Sequence, residues 1–302
     1  MIDQHLHVFV TVVEHASFSR AAHVLHMTQP AVSQYIKTLE QNLNIKLLER
    51  NNKMVRLTKG GEVVYRTAKE ILALYSRMQR LIDDMLQKPS GKLTIGASYS
   101  FGEYVLPHVI ARLREAYPEI VPVISIANTQ TIADEVANHH LDIGIVEGDV
   151  HHARLQVQPF ADDSVVIVVS ATHPLADKEV LQPSDLENET WIIREVGSGT
   201  REVAERIFEK LGISPQSMME FGSTQIIKEA VEAGLGIASL SSWVIRKELD
   251  MGIMKTLNVS EGPFKRKFSL VSHAAHFQTK AMDVFVDTLY QVTNSLQKSE
   301  RG

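Results

Sequence analysis

The chain has no cysteine. Disulfides, thiol nucleophiles and thiolate metal sites are therefore excluded. It also has no run approaching the ~20 consecutive apolar residues of a membrane span. Its first residues, MIDQHLHVF, lack the charged start and apolar stretch of a secretory signal, so a cytoplasmic protein is expected. Ser, His and Asp are present, but no Gly-x-Ser-x-Gly elbow places a nucleophile. The 13 histidines do not supply a metal site in place of thiols. His139-His140 and His151-His152 are sequence neighbours whose side chains point apart. His273 and His276 could share a helical face, but no spaced carboxylate completes a ligand set. Neither an enzyme nor a metal or cofactor site is expected.

What is present is ordinary in bulk and uneven in distribution. With 302 residues, 44% hydrophobic and 22% charged, the chain has room for one small and one larger domain. The formal net charge is -5. Residues 1–90 hold 12 Lys/Arg against 8 Asp/Glu, and residues 91–302 hold 19 against 28. A basic front and an acidic remainder mark two parts of the chain suited to partners of different charge.

Three helical patterns open the chain. Leu6, Phe9, Val10 and Val13 share one face, Phe18, Ala21, Ala22 and Leu25 another, and Val32, Ile36 and Leu39 a third. His26-Met27 is the short link of a helix-turn-helix. Thr28 is placed to cap the third helix, and Pro30 is tolerated in its first turn. With the apolar face turned inward, Gln29, Ser33, Gln34 and Lys37 are left to face out. Gln and Ser suit base edges, and Lys suits guanine or phosphate. Direct readout is assigned to Gln29, Ser33 and Gln34, with Lys37 nearer the backbone. Two extended runs then flank Asn51-Asn52, a favourable turn pair. Arg50, Lys53 and Arg56 surround that hairpin with positive charge suited to phosphates or a minor groove. The alternative is a solvated basic hairpin on a small helical domain.

The run SFSRAAHVLHMTQPAVSQYIKTLEQNLNIKLLER, with the wing and the LTKGGE after it, resembles the N-terminal domain of LysR-type transcriptional regulators. By that resemblance Thr28, Gln29, Pro30, Ser33, Gln34, Lys37, Arg50 and Arg56 form the DNA-contacting set. Many members carry Arg where this chain has Gln34, so a different base preference is expected there. The resemblance further implies homodimers or homotetramers on partly palindromic double-stranded DNA, with RNA polymerase as a downstream partner.

After Thr58, the residues Val64, Ala68, Ile71, Tyr75, Met78, Ile82 and Met85 alternate spacings of four and three. This is a heptad stripe on an otherwise polar helix. It is read as a subunit contact, with Leu72, Leu74 and Leu81 left for the helix's own domain. Packing of the stripe on that domain is the alternative. Lys88-Pro89-Ser90-Gly91 ends the pattern.

From Gly91 the pattern alternates strands and helices. Strands are expected at 92–97, 121–126, 141–146, 164–169, 191–193, 218–221 and 236–240. Helices are expected at 101–117, 132–138, 200–211 and 224–232. This argues an α/β architecture with mainly parallel sheets. The resemblance continues through HPLA at 173–176 and GLGIASL at 234–240, and implies two lobes like those of periplasmic solute-binding proteins. The expected organisation is a winged helix-turn-helix domain (1–58), a linker helix (59–90) and an effector domain (91–302). Its first lobe is 91–161 with 266–302, and its second is 162–265. The chain crosses near Phe160–Asp163 and returns near Pro263–Lys267.

Ligands of open α/β folds bind where strands end and helices begin. Ser98, Ser100 and Thr129 occupy two such corners. A third corner reads REVGSGTR, where two glycines free backbone amides ahead of a helix. Its Ser198, Gly199, Thr200 and Arg201, with Thr224 as a further wall, complete a candidate anion pocket. A simple tight turn is the alternative. A carboxylate at Glu147 would repel an anion, so its place near the pocket is in doubt. Lys265-Arg266-Lys267 reads as a solvated strand start. REVGSGTR resembles the branch of regulators of sulfite reduction and carbon fixation, which implies a sulfur oxyanion or a phosphorylated metabolite as effector. The competing function is a small-molecule binder or enzyme on the same two-lobe fold.

Overall fold

The computed structural model describes residues 2–51, 54–84, 89–179, 181–259, 262–274 and 279–299. Lys53, Met85 and His276 lie outside them. The chain packs as two units, Met1–Leu86 and Gln87–Gly302.

In the first unit α1 (Ile2–His15), α2 (Phe18–Val24) and α3 (Gln29–Leu43) precede β1 (Leu48–Asn51), β2 (Met54–Leu57) and α4 (Lys59–Asp84). The periodic apolar positions converge as their spacing requires: Leu6, Phe9, Val10, Ala21, Ala22, Val32, Ile36 and Leu39 form one buried core. Each large side chain fully buried there contributes about 1.5–3 kcal/mol. Ser17 caps α2 by accepting from Arg20 N (3.3 Å), and Thr28 caps α3 by accepting from Ala31 N (3.4 Å). His26 takes a left-handed φ of 51° in the link, and Asn44 does the same to end α3. Thr58 ties the start of α4 to the wing. Its hydroxyl donates to Lys46 O (2.7 Å) and accepts from Gly61 N (2.9 Å). A Cβ on Gly61 would stand 2.0 Å from Leu47 O, so only glycine allows this approach.

The second unit runs β3 (Gly91–Ser98), α5 (Tyr99–Tyr104), α6 (Leu106–Ala116), β4 (Ile120–Ala127), α7 (Thr129–Ala137), β5 (Ile143–Glu147), β6 (Leu155–Ser170), α8 (Pro183–Glu187), β7 (Thr190–Arg194), α9 (Gly199–Leu211), β8 (Ser217–Phe221), α10 (Thr224–Glu232), β9 (Ile237–Ser241), α11 (Arg246–Asp250), β10 (Met254–Leu257), β11 (Phe264–His273) and α12 (Lys280–Ser299). Among the described residues nine strands form one sheet in the order β4-β3-β5-β11-β6-β9-β7-β8, with β10 also on β6. The sheet is mixed rather than mainly parallel. β3 pairs parallel with β4 and β5, and β7 pairs parallel with β8 and β9, but β6 and β11 form a central antiparallel ribbon.

That ribbon joins two lobes with separate cores. Phe160, Ala161, Phe268 and Leu270 pack with Leu93, Ile95, Phe101, Leu113, Phe285 and Leu289. Val165, Ile167 and Phe264 pack instead with Trp191, Ile193, Val203 and Ile207. The change falls between Ala161 and Val165 on β6 and between Phe264 and Phe268 on β11. Asp163 and Arg266, register partners, sit in that interval. Trp243, beyond β9, is buried in the first lobe's core although its strand belongs to the second lobe.

Two element assignments change. The helix expected over 101–117 is two helices broken at Val105, because Pro107 in the first turn of α6 cannot continue a preceding helix. The strand expected at 164–169 is the far half of the 16-residue β6. HPLA forms a 3-10 turn whose Leu175 N donates to His173 Nδ1 (3.2 Å).

Candidate functional site

On α3 the inward residues Val32, Ile36 and Leu39 leave Thr28, Gln29, Pro30, Gln34 and Lys37 exposed and Ser33 half-buried. Gln29 Nε2 donates to Ser33 Oγ (2.9 Å), which orders the start of that face. A groove of about 630 Å3 is lined by Pro30, Ser33, Gln34, Lys37, Glu40, Lys46 and Leu48. Glu40 ties its floor to the wing, accepting from Leu47 N (2.9 Å) and Leu48 N (3.3 Å) and pairing with Lys46 Nζ (2.7 Å). Burial opposes its ionisation, but those donors outweigh burial and hold its carboxyl below the usual range. In the wing Glu49 is in register with Arg56, Arg50 with Val55 and Asn51 with Met54. Asn51 is thus the last paired position of its strand, and Asn52 lies outside the described residues. Arg56 is exposed.

The α4 stripe divides. Val64 and Ala68 pack into the first unit's own core with Leu72, which corrects their assignment to a subunit contact. Ile71, Tyr75, Met78 and Ile82 of the stripe remain exposed, Ile82 at 54%, and Leu74 is exposed beside them, which corrects its assignment to the helix's own domain.

In the second unit the candidate pocket residues Ser98, Ser100, Thr129, Ser198, Thr200 and Thr224 are all buried, and so is Gly199. Three of the hydroxyls meet on Glu147. Ser100 Oγ (3.2 Å) and Thr200 Oγ1 (3.1 Å) donate to its Oε1, and Thr129 Oγ1 donates to its main-chain oxygen (2.8 Å). Since Ser100 and Thr129 belong to one lobe and Thr200 to the other, Glu147 is a point of closure. A Cβ on Gly199 would stand 2.0 Å from Glu147 O, so glycine admits α9 to that contact. α7, α9 and α10 begin here, capped by Asn128, Ser198 and Ser223. Among the described residues, four buried polar atoms have no hydrogen-bond partner: Ser98 Oγ, Glu147 Oε2, His140 Nε2 and Glu248 Oε2. The first two belong to this seam.

The cation of the seam is Arg266, not Arg201. Arg266 is buried, and its guanidinium reaches both lobes. Nε donates to Asp163 Oδ2 (2.6 Å), Nη1 to Thr200 Oγ1 (3.0 Å) and Nη2 to Ser100 Oγ (3.1 Å). Nη2 also stands 3.1 Å from Glu147 Oε2. Burial works against this charge, but Glu147 and Asp163 hold its pKa above the usual value. Burial pushes the Asp163 carboxyl up, against the pull of Arg266 and of Ser241 Oγ, which donates to it (2.6 Å). Two expectations are corrected: Arg266 is not solvated, and Arg201 is turned to its own lobe. Glu147, which the sequence left at the border of the cleft, lies among the candidate pocket residues. Arg201 pairs with Glu205 (2.8 Å) and Glu220 (2.6 Å) and donates to Arg194 O (3.1 Å). The missed signal was period two: Phe264, Arg266 and Phe268 share the buried face of β11 while Lys265 and Lys267 are exposed.

A second buried guanidinium borders the seam. Arg194 forks onto Glu195 with two contacts of 2.7 Å, donates to Thr224 Oγ1 (3.3 Å) and lies over the Tyr99 ring (4.3 Å). Asn128 Nδ2 reaches Glu195 from the opposite lobe (3.2 Å), and Gln130 N donates to Gly197 O (3.1 Å). Burial disfavours the Glu195 charge, but Arg194 and Asn128 bring its carboxyl below the usual range.

The histidines are distributed otherwise. His139 packs against His273 with ring centroids 4.1 Å apart, and His140 pairs with Glu135 (3.0 Å). His273 ends a strand rather than sharing a helical face. Among the described residues no group of three His, Asp or Glu could hold a metal ion, and no helix is long and apolar enough to cross a membrane.

Comparison with known proteins agrees with this layout. Residues 4–62 match the bacterial regulatory helix-turn-helix protein, lysR family, and residues 86–294 match the LysR substrate binding domain. The HTH-type transcriptional regulator CysL of Bacillus subtilis (strain 168) is 36% identical over 284 residues, covering 94% of this chain and 95% of that one. A probable RuBisCO transcriptional regulator of Cyanidioschyzon merolae (strain NIES-3377 / 10D) is 33% identical over 297 residues, covering 96% and 98%. The CcmR regulatory domain of Synechocystis PCC6803, solved in complex with 2-PG, aligns with a TM-score of 0.63 at 28% identity over 68% of this chain and 98% of that domain. These relatives are named as regulators rather than enzymes. With a reading helix, a wing and a two-lobe substrate-binding domain in that order, the chain belongs to the LysR family of DNA-binding transcriptional regulators.

Proposed function

We propose that a small oxyanion, taken up between the two lobes of Gln87–Gly302, changes how this regulator holds its promoter. The observation that carries the reading is the seam around Glu147. Buried hydroxyls from both lobes, the Arg266 guanidinium and the starts of α7 and α9 gather there, with Ser98 Oγ buried and unpartnered. Donors and helix N-termini of this kind favour negative charge. The CcmR domain solved with 2-PG supports a phosphorylated effector, and the resemblance of REVGSGTR to regulators of sulfite reduction keeps sulfur oxyanions in the set.

On DNA, Gln29, Ser33 and Gln34 read bases. Lys37, Arg50, Lys53 and Arg56 fix the chain on the phosphate backbone, and Thr28 and Pro30 complete the DNA-contacting surface. The exposed Ile71, Leu74, Tyr75, Met78 and Ile82 pair two subunits, so that two reading helices address a partly palindromic site. Assembly to tetramers and action on RNA polymerase rest on family membership alone. The experiment is a gel-shift titration on the chain's own promoter and on random duplex, with and without sulfite, inorganic phosphate and 2-phosphoglycolate. Selective binding that one of these anions shifts is expected. Equal binding to both duplexes would refute the DNA reading, and indifference to every anion would refute the effector class.

A further inference from the structure

The seam that gathers donors for an anion also holds more negative than positive charge. Glu147 on β5 and Asp163 on β6 face the single guanidinium of Arg266 on β11. Glu202 on α9 adds a third carboxylate within electrostatic reach of Arg266, its own pKa raised by burial, with Oε2 accepting from Asp149 N (3.3 Å). The two Glu147 oxygens are unlike. Oε1 accepts two hydroxyl hydrogen bonds, whereas Oε2 is buried, pairs with the Arg266 guanidinium at 3.1 Å without a hydrogen bond of good geometry, and lies in the same seam as the unpartnered Ser98 Oγ. A buried carboxylate oxygen whose charge is paired but which accepts no aligned hydrogen bond keeps acceptor capacity, and an O–H brought to it makes a short, strong bond. A fully deprotonated anion would instead set lone pairs against lone pairs beside a carboxylate buried away from bulk solvent.

We propose that Glu147 sets the chemical class of the effector. The seam takes an oxyanion that still carries an acidic O–H, which donates to Glu147 Oε2, and it discriminates against anions that have none. This rests on the reading of the seam as the anion site and narrows that reading. Monohydrogen phosphate esters and hydrogen sulfite qualify. Sulfate, sulfonates and simple carboxylates do not. Ser98 Oγ and the Arg266 guanidinium serve the anion's remaining oxygens.

Sulfate and inorganic phosphate test this directly, being alike in shape and size while only phosphate keeps a proton near neutral pH. Phosphonoacetate and sulfoacetate repeat the comparison on a larger frame. Calorimetric titration of the full chain is expected to give the protonated member of a pair about a hundredfold tighter binding. Glu147→Gln, checked for folding by its melting curve, presents an amide that donates. It is expected to bring the pair within about tenfold, chiefly by admitting sulfate or sulfoacetate. Equal affinities in the unaltered chain would overturn the proposal without any variant, and so would an unchanged ratio in folded Glu147→Gln. Either result leaves the anion reading standing, because the anions bind. If none of these anions, nor sulfite nor 2-phosphoglycolate, binds the unaltered chain, the anion reading falls and this proposal falls with it.

Discussion

Arg201 and Arg266 are the same side chain under opposite conditions. Arg201 follows a glycine-rich loop, which is why the sequence points to it. A partly exposed guanidinium within reach of Glu205 and Glu220 is taken by them instead. Arg201→Ala is expected to cost at most about 1 kcal/mol and to leave the effector response unchanged in a ligand-dependent gel shift. Arg266→Ala strands Asp163 and Glu147 as buried charges, and a loss of about 3–5 kcal/mol is expected from denaturant unfolding. Sequence could not show this cation's weight, because its partners are set by pairing across the sheet and across the seam. At the reading helix the chemistry is local and more legible. Gln34→Ala is expected to relax sequence preference while leaving the salt slope of binding almost unchanged. Lys37→Ala is expected to weaken all duplexes alike and lower that slope by about one.

Among elements, those whose burial repeats along one helix are legible in the order of residues alone. The cores of α1, α2 and α3 follow their 3.6-residue period, and Thr28 announces the start of α3. The linker helix is only half legible, since one stripe serves two purposes and spacing does not say where the first ends. Its two portions differ in what a charge would do. Met78→Asp is expected to leave the fold intact and reduce self-association in sedimentation, whereas Ala68→Asp buries a charge in the core and is expected to unfold the first unit. The link between α3 and the wing is acid-sensitive. Glu40 has a lowered folded pKa, so its contribution is present above the ordinary carboxylate range and is lost as pH falls through the lowered value. Glu40→Gln is expected to weaken the first unit at neutral pH and to flatten its acid melting profile. The α12 helix carries a legible period at Met282, Phe285, Leu289 and Val292 that strand-helix alternation does not pick out.

For the whole molecule, the two-lobe plan follows from alternation, but the antiparallel ribbon at its centre does not. A 16-residue strand that changes cores at its midpoint has no local mark distinguishing one half from the other. Regulation by an effector must be reciprocal. If an anion changes promoter affinity by some factor, promoter DNA is expected to change anion affinity by the same factor, typically about 5–150-fold in coupled systems. Titrating each ligand at saturating levels of the other checks this, and unequal factors would exclude simple coupling between two states. The ribbon and its neighbours also provide an optical handle. Both tryptophans of the chain belong to the second lobe, Trp191 fully enclosed there and Trp243 lodged in the first lobe's core. Separation of the lobes would wet one indole and spare the other, so native fluorescence can follow opening and closing in real time without a label.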